Sequence, residues 1–215
     1  EELDVRFTFG IPGVHNIELY DELQESETIT PLLVTHEGGA SFMADAYARI
    51  SGSPGVLMVV PAAGLTHAMS GVGEAFLDGI PMLIVSGGVR TDLDHGFQLH
   101  ELDQQALMRP LTKAAYRIDS YDEVVATVYR AWRTALDGEP GPVFVEVPAN
   151  LQLLAADVAE PPPFDAASEE LVADPEAIAA AAELLADAER PGIFVGWGAR
   201  AVRDDIVRIA ERLGA

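Results

Sequence analysis

Short apolar runs alternate with helical patterns through residues 5–148 of the chain. Residues 55–60 and 81–86 are continuous apolar runs, which are typical of parallel strands covered on both faces. Residues 65–77 lie between these two runs and are predicted to form a helix. A strand, a helix and a second parallel strand form a right-handed crossover. The order therefore predicts an α/β fold, a doubly wound parallel sheet with helices on both faces.

Glu37 lies between a predicted strand at residues 31–34 and the helix that follows it. Residues 31–34 are predicted to form a short buried strand. Before them, residues 5–9 alternate and are rich in β-forming residues, which predicts another strand, and a helix is predicted at 16–24 in between. The helix after Glu37 is predicted to have one apolar face, made of Met43, Ala46, Tyr47 and Ile50. Glu37 would then lie at the carboxyl end of a strand, where open α/β sheets bind ligands. A glutamate that only satisfies free N–H groups at the helix start is the alternative.

The segment from residue 89 to residue 102 is a long polar loop, and loops of this length in compact domains are usually functional or mobile. Its polar side chains are Arg90, Thr91, Asp92, Asp94, His95, Gln98 and His100. Strands are predicted at 112–118 and 141–148. Ser120 and Glu123 predict a capping box for a helix that ends near residue 136.

The composition changes after residue 153. Three consecutive prolines in an acidic, alanine-rich stretch without periodicity indicate an interdomain linker. Asp174 and Pro175 then predict the N-cap and first turn of a helix, followed by a strand at 192–195 and a helix at 199–213. The predicted division is a first domain at 1–153, a linker at 154–173, and the beginning of an incomplete, Rossmann-like second domain at 174–215.

The charge and the N-terminus limit the class of protein. A formal net charge of -22 argues against nucleic-acid binding, which depends on neutralising phosphates. The apolar runs are too short for a transmembrane helix, and the acidic N-terminus is unlike an export signal. Cysteine is absent, which excludes disulfides and thiolate metal sites. We expect a cytoplasmic protein that binds neither nucleic acid nor membrane.

Four short stretches of the sequence are informative when they are taken together and in order. They are Phe9-Gly10-Ile11-Pro12-Gly13, His36-Glu37-Gly38-Gly39-Ala40, Ala75-Phe76-Leu77-Asp78-Gly79-Ile80-Pro81 and Arg109-Pro110-Leu111-Thr112-Lys113. Together they resemble the N-terminal, pyrimidine-binding domain of the thiamine diphosphate enzymes of the acetolactate synthase and benzoylformate decarboxylase type. The similarity covers residues 5–150 and continues into the start of the central domain at 175–215.

This resemblance implies roles for individual residues. Glu37 would be the catalytic carboxyl that contacts N1′ of the cofactor aminopyrimidine. Pro12, Gly13, Ala63 and Gly64 would line the cofactor and substrate side, and Gln98 or His100 would be the polar residue near the substrate. Many relatives have Gly-Pro-Gly where this chain has Ala62-Ala63-Gly64. Residues 101–104 are more similar to the acyl-CoA decarboxylase and lyase branch, so a 2-oxo acid and an acyl-CoA both stay open as substrates.

The resemblance also implies partners. Thiamine diphosphate would be bound together with Mg²⁺, whose ligands we expect in a C-terminal domain that this chain lacks, and no metal ligands are expected in the chain itself. FAD binds the central domain of only some family members and has no further support here. The site would be shared with a second copy of the subunit, as a homodimer or tetramer. We therefore expect the N-terminal part of a 2-oxo acid decarboxylase or carboligase that is inactive by itself.

Two other classes remain as alternatives. A noncatalytic α/β interaction or regulatory module would keep the fold without a complete site. A dinucleotide-binding oxidoreductase is suggested by Gly196-Trp197-Gly198-Ala199-Arg200-Ala201, which fits the loose G-x-G-x-x-A pattern, but no second strand follows to complete its crevice. His36 and His67 are interpreted as structural residues, whereas His95 and His100 are as consistent with a functional role as with a structural one.

Overall fold

The computed structural model describes residues 1–94, 97–160, 162–165 and 172–215. The chain divides into two compact units, residues 1–166 and residues 167–215. The predicted linker at 154–173 spans the boundary between them, and part of it lies outside the described residues.

Unit 1 is built from alternating strands and helices. Its strands are β1 (Phe7–Gly10), β2 (Thr30–Leu33), β3 (Gly55–Val59), β4 (Met82–Gly88), β5 (Ala114–Arg117) and β6 (Pro142–Pro148). Its helices are α1 (Ile17–Glu25), α2 (Glu37–Ser51), α3 (Ala63–Leu77), α4 (Gln104–Met108), α5 (Val124–Leu136) and α6 (Ala149–Leu153), with short 3₁₀ helices at Arg109–Leu111 and Tyr121–Glu123. The short helix α6 was not predicted from the sequence.

All six strands form one parallel sheet in the order β2-β1-β3-β4-β6-β5. The chain moves from β1 to β2 on one side and then returns across β1 to β3 on the other. The strand order thus reverses between β1 and β3, and the crevice outside the carboxyl ends of such strands is where open sheets bind ligands. The predicted doubly wound parallel sheet is confirmed.

Each face of the sheet carries its own apolar core. One core contains Leu57, Val59, Ile84 and Phe144 of the strands together with residues of α2 and α3. The other contains Tyr20 of α1 and Trp132 of α5, packed on residues of β3, β4 and β6. Because both faces are covered, the central strands are almost wholly buried, as the continuous apolar runs predicted.

Helix α2 buries small residues rather than the predicted apolar face. Its buried column is Ala40, Ala44 and Ala48, with Ser41 and Asp45 beside it. Ala46 is exposed, Met43 is 41% exposed and Ile50 is 87% exposed, so the predicted face was wrong at these three positions, although Tyr47 packs partly against the core. Small residues are buried because α2 lies very close to β3: a Cβ at Gly55 of β3 would lie 2.1 Å from the carbonyl oxygen of Ala44.

The same close approach joins α2 to α3. A Cβ at Gly71 of α3 would lie 2.4 Å from Ser41 Oγ and 2.8 Å from the backbone nitrogen of Phe42. Glycine is therefore needed at position 71 for the two helices to touch at this point. Since Glu37 begins α2, this contact fixes where its side chain lies relative to α3.

Strand β2 was predicted to be buried, and this was wrong. It lies at the end of the strand order, and none of its residues is buried. Pro31 explains why β2 is an edge strand. Proline has no N–H to bond to a second neighbouring strand, so within sheets it occurs mainly on edge strands.

The predicted capping box at Ser120 and Glu123 was also wrong. The side chain of Ser120 makes no capping hydrogen bond, and a 3₁₀ turn, Tyr121–Glu123, precedes α5. Glu123 Oε2 instead accepts a hydrogen bond from the backbone N–H of Asp119 at 3.3 Å.

Within the predicted linker, Phe164 packs against unit 1. Its ring lies 5.0 Å from that of Tyr129 on α5, and the guanidinium of Arg133 lies over it at 5.0 Å. Arg133 Nε also donates a hydrogen bond to the backbone carbonyl of Asp165 at 2.9 Å. At least this part of the segment is held by α5.

Unit 2 contains the helices α7 (Pro175–Ala186) and α8 (Arg203–Leu213), with a 3₁₀ helix at Trp197–Val202. The Asp174 carboxylate accepts a hydrogen bond from the N–H of Glu176, so the predicted N-cap is confirmed. The strand predicted at 192–195 was wrong, because these residues have no regular secondary structure, and the last α-helix begins four residues later than predicted. Over the described residues, no helix is both long and apolar enough to cross a membrane.

Candidate active site

Glu37 is the first residue of α2, at the carboxyl edge of the sheet. His36 before it is extended, and its ring Nδ1 accepts a hydrogen bond from the N–H of Gly38 at 3.0 Å, which caps the helix. The structural role expected for His36 is thus observed. The Glu37 side chain is only 12% exposed, so this carboxyl is held inside the crevice rather than displayed on the surface.

Two glycines and a valine form a wall beside Glu37. A Cβ at Gly13 would lie 2.6 Å from Val60 Cγ1, and a Cβ at Gly64 would lie 2.7 Å from Val60 Cγ2 and 3.3 Å from Glu37 Oε1. Loops after β1, β2 and β3 therefore converge on one point. Glycine at positions 13 and 64 lets both loops pack directly on Val60, and at position 64 it also keeps a side chain away from Oε1 of Glu37.

The loop after β1 is held by a buried asparagine. Asn16 Oδ1 accepts a hydrogen bond from the N–H of Gly13 at 2.7 Å, and Asn16 is 1% exposed. Pro12, on the outer side of this turn, is exposed. The turn thus holds Gly13 against Val60 and leaves Pro12 exposed.

The loop after β3 contains a residue in an unusual backbone conformation. Ala62 has φ 55° and ψ -101°, a region that favours glycine. The N–H of Leu65 bonds to the carbonyl of Val60 at 3.0 Å, and the N–H of Thr66 bonds to that of Ala62 at 2.8 Å, which closes the turn into α3. Ala63 is exposed at the start of α3, and Gly64 is buried against Val60.

His67 brings a second polar group to Glu37. Its Nδ1 lies 3.2 Å from Glu37 Oε2, and its ring stacks on that of His36, with centroids 4.9 Å apart and planes 24° from parallel. From the sequence, His67 was interpreted as a hydrogen-bonded packing residue, and Glu37 was not recognised as its partner. Its position one turn after Gly64 on α3 was the signal that it faces the same crevice.

A second polar cluster lies at the end of β4. His15, in the loop after β1, packs its backbone against Gly87, and its Nδ1 lies 3.4 Å from that of His100. Burial, with a smaller contribution from His100, lowers the pKa of His15. His15 was not among the predicted site residues, although its place two residues after Gly13 was an available signal.

The polar loop is tied down by amide side chains. Gln98 accepts from the N–H of Arg90 at 3.1 Å and donates to its carbonyl at 2.8 Å, so both ends of its amide are occupied. Asn150 Oδ1 accepts from the backbone N–H of Thr91 at 3.0 Å. His95 lies outside the described residues.

The predicted residues thus fall into two groups. Gly13 and Gly64 both lie against Val60, and Gly64 lies next to Oε1 of Glu37, whereas Gln98 and His100 belong to the loop after β4. Pro12 and Ala63 precede the two glycines in the chain and are exposed. Among the residues that the structure describes, no group of three or more His, Asp or Glu is arranged to hold a metal ion.

Comparison with known proteins identifies the family. Residues 1–107 match the family model described as thiamine pyrophosphate enzyme, N-terminal TPP binding domain. The chain therefore belongs to the thiamine pyrophosphate enzymes, of which it carries the N-terminal domain. Thiamine pyrophosphate is the same compound as thiamine diphosphate.

Several relatives of this thiamine pyrophosphate enzyme domain are known. A Pseudomonas aeruginosa protein assigned as the 2-ketoarginine decarboxylase AruI is 39% identical over 96% of the chain and 37% of its own length. The acetolactate synthase large subunit of Corynebacterium glutamicum is 32% identical over 92% of the chain and 32% of its own length. The chain spans about a third of the length of these relatives.

A solved structure agrees with the assignment. A candidate thiamin diphosphate-dependent enzyme isolated from Mycobacterium smegmatis superimposes with a TM-score of 0.91 at 25% identity. The match covers 100% of this chain and 41% of the other. Both units of the chain therefore correspond to parts of a longer thiamin diphosphate-dependent protein.

Proposed function

We propose that the chain is the pyrimidine-binding part of a thiamine diphosphate-dependent 2-oxo acid decarboxylase or carboligase, in which Glu37 contacts N1′ of the aminopyrimidine. The observation that carries the proposal is the position of Glu37: a carboxyl 12% exposed, at the reversal of strand order, against a wall made by Gly13, Val60 and Gly64.

The residues of the crevice fit a flat heteroaromatic ring. A side chain at position 64 would crowd Oε1 of Glu37 as well as Val60, so glycine there keeps a side chain away from this oxygen. Pro12 and Ala63, which are exposed and precede the two glycines of the wall in the chain, are proposed to lie at the rim of the same crevice. Bound thiamine diphosphate supplies the carbanion chemistry that the reaction of a 2-oxo acid requires.

The role of Glu37 is to share a proton with the ring nitrogen that it faces. A carboxyl can accept or donate at that position according to its protonation state. Because the side chain is mostly removed from water, this hydrogen bond would be stronger than at the surface. The wall around it would keep water away from the shared proton.

The substrate side is proposed to lie at the loop after β4. His100 is the stronger of the two candidates there, since both ends of the Gln98 amide are already bonded to the backbone of Arg90. His15, paired with His100, is a third candidate. A 2-oxo acid is favoured over an acyl-CoA because the relative named for its substrate is a 2-ketoarginine decarboxylase.

The proposed assembly needs further protein. The chain spans about a third of its relatives, which supports a C-terminal domain that binds the diphosphate and Mg²⁺. A second copy of the subunit is supported by large exposed apolar side chains on α2 and α3, namely Phe42, Met43, Phe76 and Leu77. We further propose a cytoplasmic location.

Glu37→Gln in the full-length protein tests the function. We expect the variant to fold normally and the exchange of the cofactor C2 proton with deuterated solvent to slow by about 10²- to 10⁴-fold, the usual contribution of a positioned acid or base. Glu74→Gln on the exposed side of α3 removes the same charge outside the crevice and should leave the rate unchanged.

Two results would contradict the proposal. Exchange at the wild-type rate in Glu37→Gln would show that this carboxyl does not activate the cofactor. Failure of the full-length protein to bind thiamine diphosphate with Mg²⁺ in calorimetric titration would favour a noncatalytic module that keeps the fold.

A further inference from the structure

The two oxygens of the Glu37 carboxyl have different surroundings. Oε2 lies 3.2 Å from Nδ1 of His67. Oε1 lies on the Gly64 side, 3.3 Å from the position that a Cβ at Gly64 would occupy. One oxygen therefore has a side-chain partner, and the other faces the glycine wall.

The hydrogen bonds around this carboxyl define the protonation of both stacked histidines. When Glu37 is ionised, its oxygens can only accept, so the bond to Oε2 then requires the proton on Nδ1 of His67. His36 accepts at its own Nδ1 from the N–H of Gly38, so its neutral ring carries the proton on Nε2. The two rings of the stack should thus be opposite tautomers.

The position of His67 is set by helix packing rather than by a flexible loop. His67 lies on α3, which touches α2 closely at Gly71 and Ser41. Its backbone carbonyl would lie 3.3 Å from a Cβ at Gly38, the residue after Glu37. The ring is held from one side by the stack with His36, while the side chain is 54% exposed.

We propose that His67 is a positioning residue for Glu37: its Nδ1–H binds Oε2, which leaves Oε1 as the oxygen that meets the aminopyrimidine. The effect on the cofactor rests on the proposed function, whereas the hydrogen bond between His67 and Glu37 does not. Without the His67 donor, the carboxyl group of Glu37 can rotate, and Oε1 is no longer held on the Gly64 side. The fraction of molecules with a correctly oriented carboxyl then falls.

The hydrogen bond is tested in the cofactor-free protein by long-range ¹H–¹⁵N correlation spectra of the histidine rings, recorded at a pH where the rings are neutral. His67, assigned by the loss of its signals in His67→Asn, should be the Nδ1–H tautomer, and His36 the Nε2–H tautomer. Glu37→Ala should return His67 to the commoner Nε2–H form. An Nε2–H tautomer of His67 in the wild-type protein, or no change in Glu37→Ala, would overturn the inference.

The consequence is tested in the cofactor-loaded, full-length protein. His67→Leu removes the donor, whereas His67→Asn places an amide N–H where Nδ1 was. We expect C2 proton exchange to slow about tenfold in His67→Leu, the effect of losing one hydrogen bond to a charged group, and to be restored in His67→Asn. Equal rates in the wild-type protein and His67→Leu would refute the positioning role.

The two experiments separate two failures. If the Nδ1–H tautomer is found but Glu37→Gln exchanges the C2 proton at the wild-type rate, the proposed function is wrong and the histidine–glutamate pair stands. If Glu37→Gln is slow but His67 is the Nε2–H tautomer, the function stands and the role of His67 is refuted.

Discussion

Replacing Gly71 with alanine should force apart the two helices that carry Glu37 and His67. The added Cβ would lie 2.4 Å from Ser41 Oγ and 2.8 Å from two backbone atoms of α2. Rotation of a side chain cannot relieve contacts with backbone. The helices must separate by about 0.6 Å before those contacts reach the 3.4 Å of ordinary van der Waals packing.

Two opposing effects decide the magnitude. Alanine is better than glycine in a helix interior by about 1 kcal/mol. Overpacking of a close contact costs about 1–3 kcal/mol, and the upper part of this range applies where backbone must move. We therefore expect Gly71→Ala to lower the free energy of unfolding by about 1–2 kcal/mol. The same displacement would lengthen the 3.2 Å distance between His67 and Glu37 beyond hydrogen-bonding range.

Gly73→Ala is the matched control, because it makes the same change two residues along α3. A Cβ there meets only Leu111 Cδ2, at 3.9 Å. It should raise the free energy of unfolding by up to about 1 kcal/mol through helix propensity alone. Both variants would be compared by urea denaturation followed by circular dichroism, with midpoint and slope fitted separately. Equal changes in the two variants would refute the close contact of α2 and α3.

Two further predictions concern the loops after β1 and β3. The pKa of His15 is lowered from its ordinary value of 6.5 by burial and by His100, while Glu18 opposes the shift. The unfolded chain thus binds more protons than the folded one just below pH 6.5, so stability should fall as the pH decreases through this range. His15→Asn should flatten that fall in denaturation curves recorded against pH, and an unchanged slope would contradict it. Ala62→Gly should raise the free energy of unfolding by about 1 kcal/mol, because glycine relieves the strain of φ 55° by more than its extra chain entropy costs. Its denaturation midpoint would be compared with that of Ala63→Gly, at the first residue of α3, which should lose stability; a loss in both variants would contradict the strain argument.

The fold was predictable because a parallel sheet buries its strands on both faces. Residues 55–60 and 81–86 carry that pattern directly, and both are central strands. The pattern failed for residues 31–34, where apolar residues belong to an edge strand. It failed again at 192–195, where a short apolar run next to glycine has no regular structure.

The site was predictable in part. Glu37 follows from a strand, a carboxylate and two glycines in sequence, and these are local features. The partner of Glu37 depends on how α2 and α3 pack, and the sequence indicated the wrong face of α2 because Met43 and Ile50 are more apolar than the alanines that are buried. Small residues of α2 are buried because its backbone touches β3 and α3 closely. The glycines that allow these contacts, Gly55 on β3 and Gly71 on α3, are not part of the α2 sequence.

The two polar clusters of the crevice also differ in when they can form. The groups around Glu37 come from residues 13–67, which leave the ribosome before the residues of β4 do. The contact of His15 with His100 closes a loop of 85 residues and must wait for β4 and the segment after it. During synthesis the carboxylate side of the crevice is therefore assembled first and the side proposed for the substrate is assembled later.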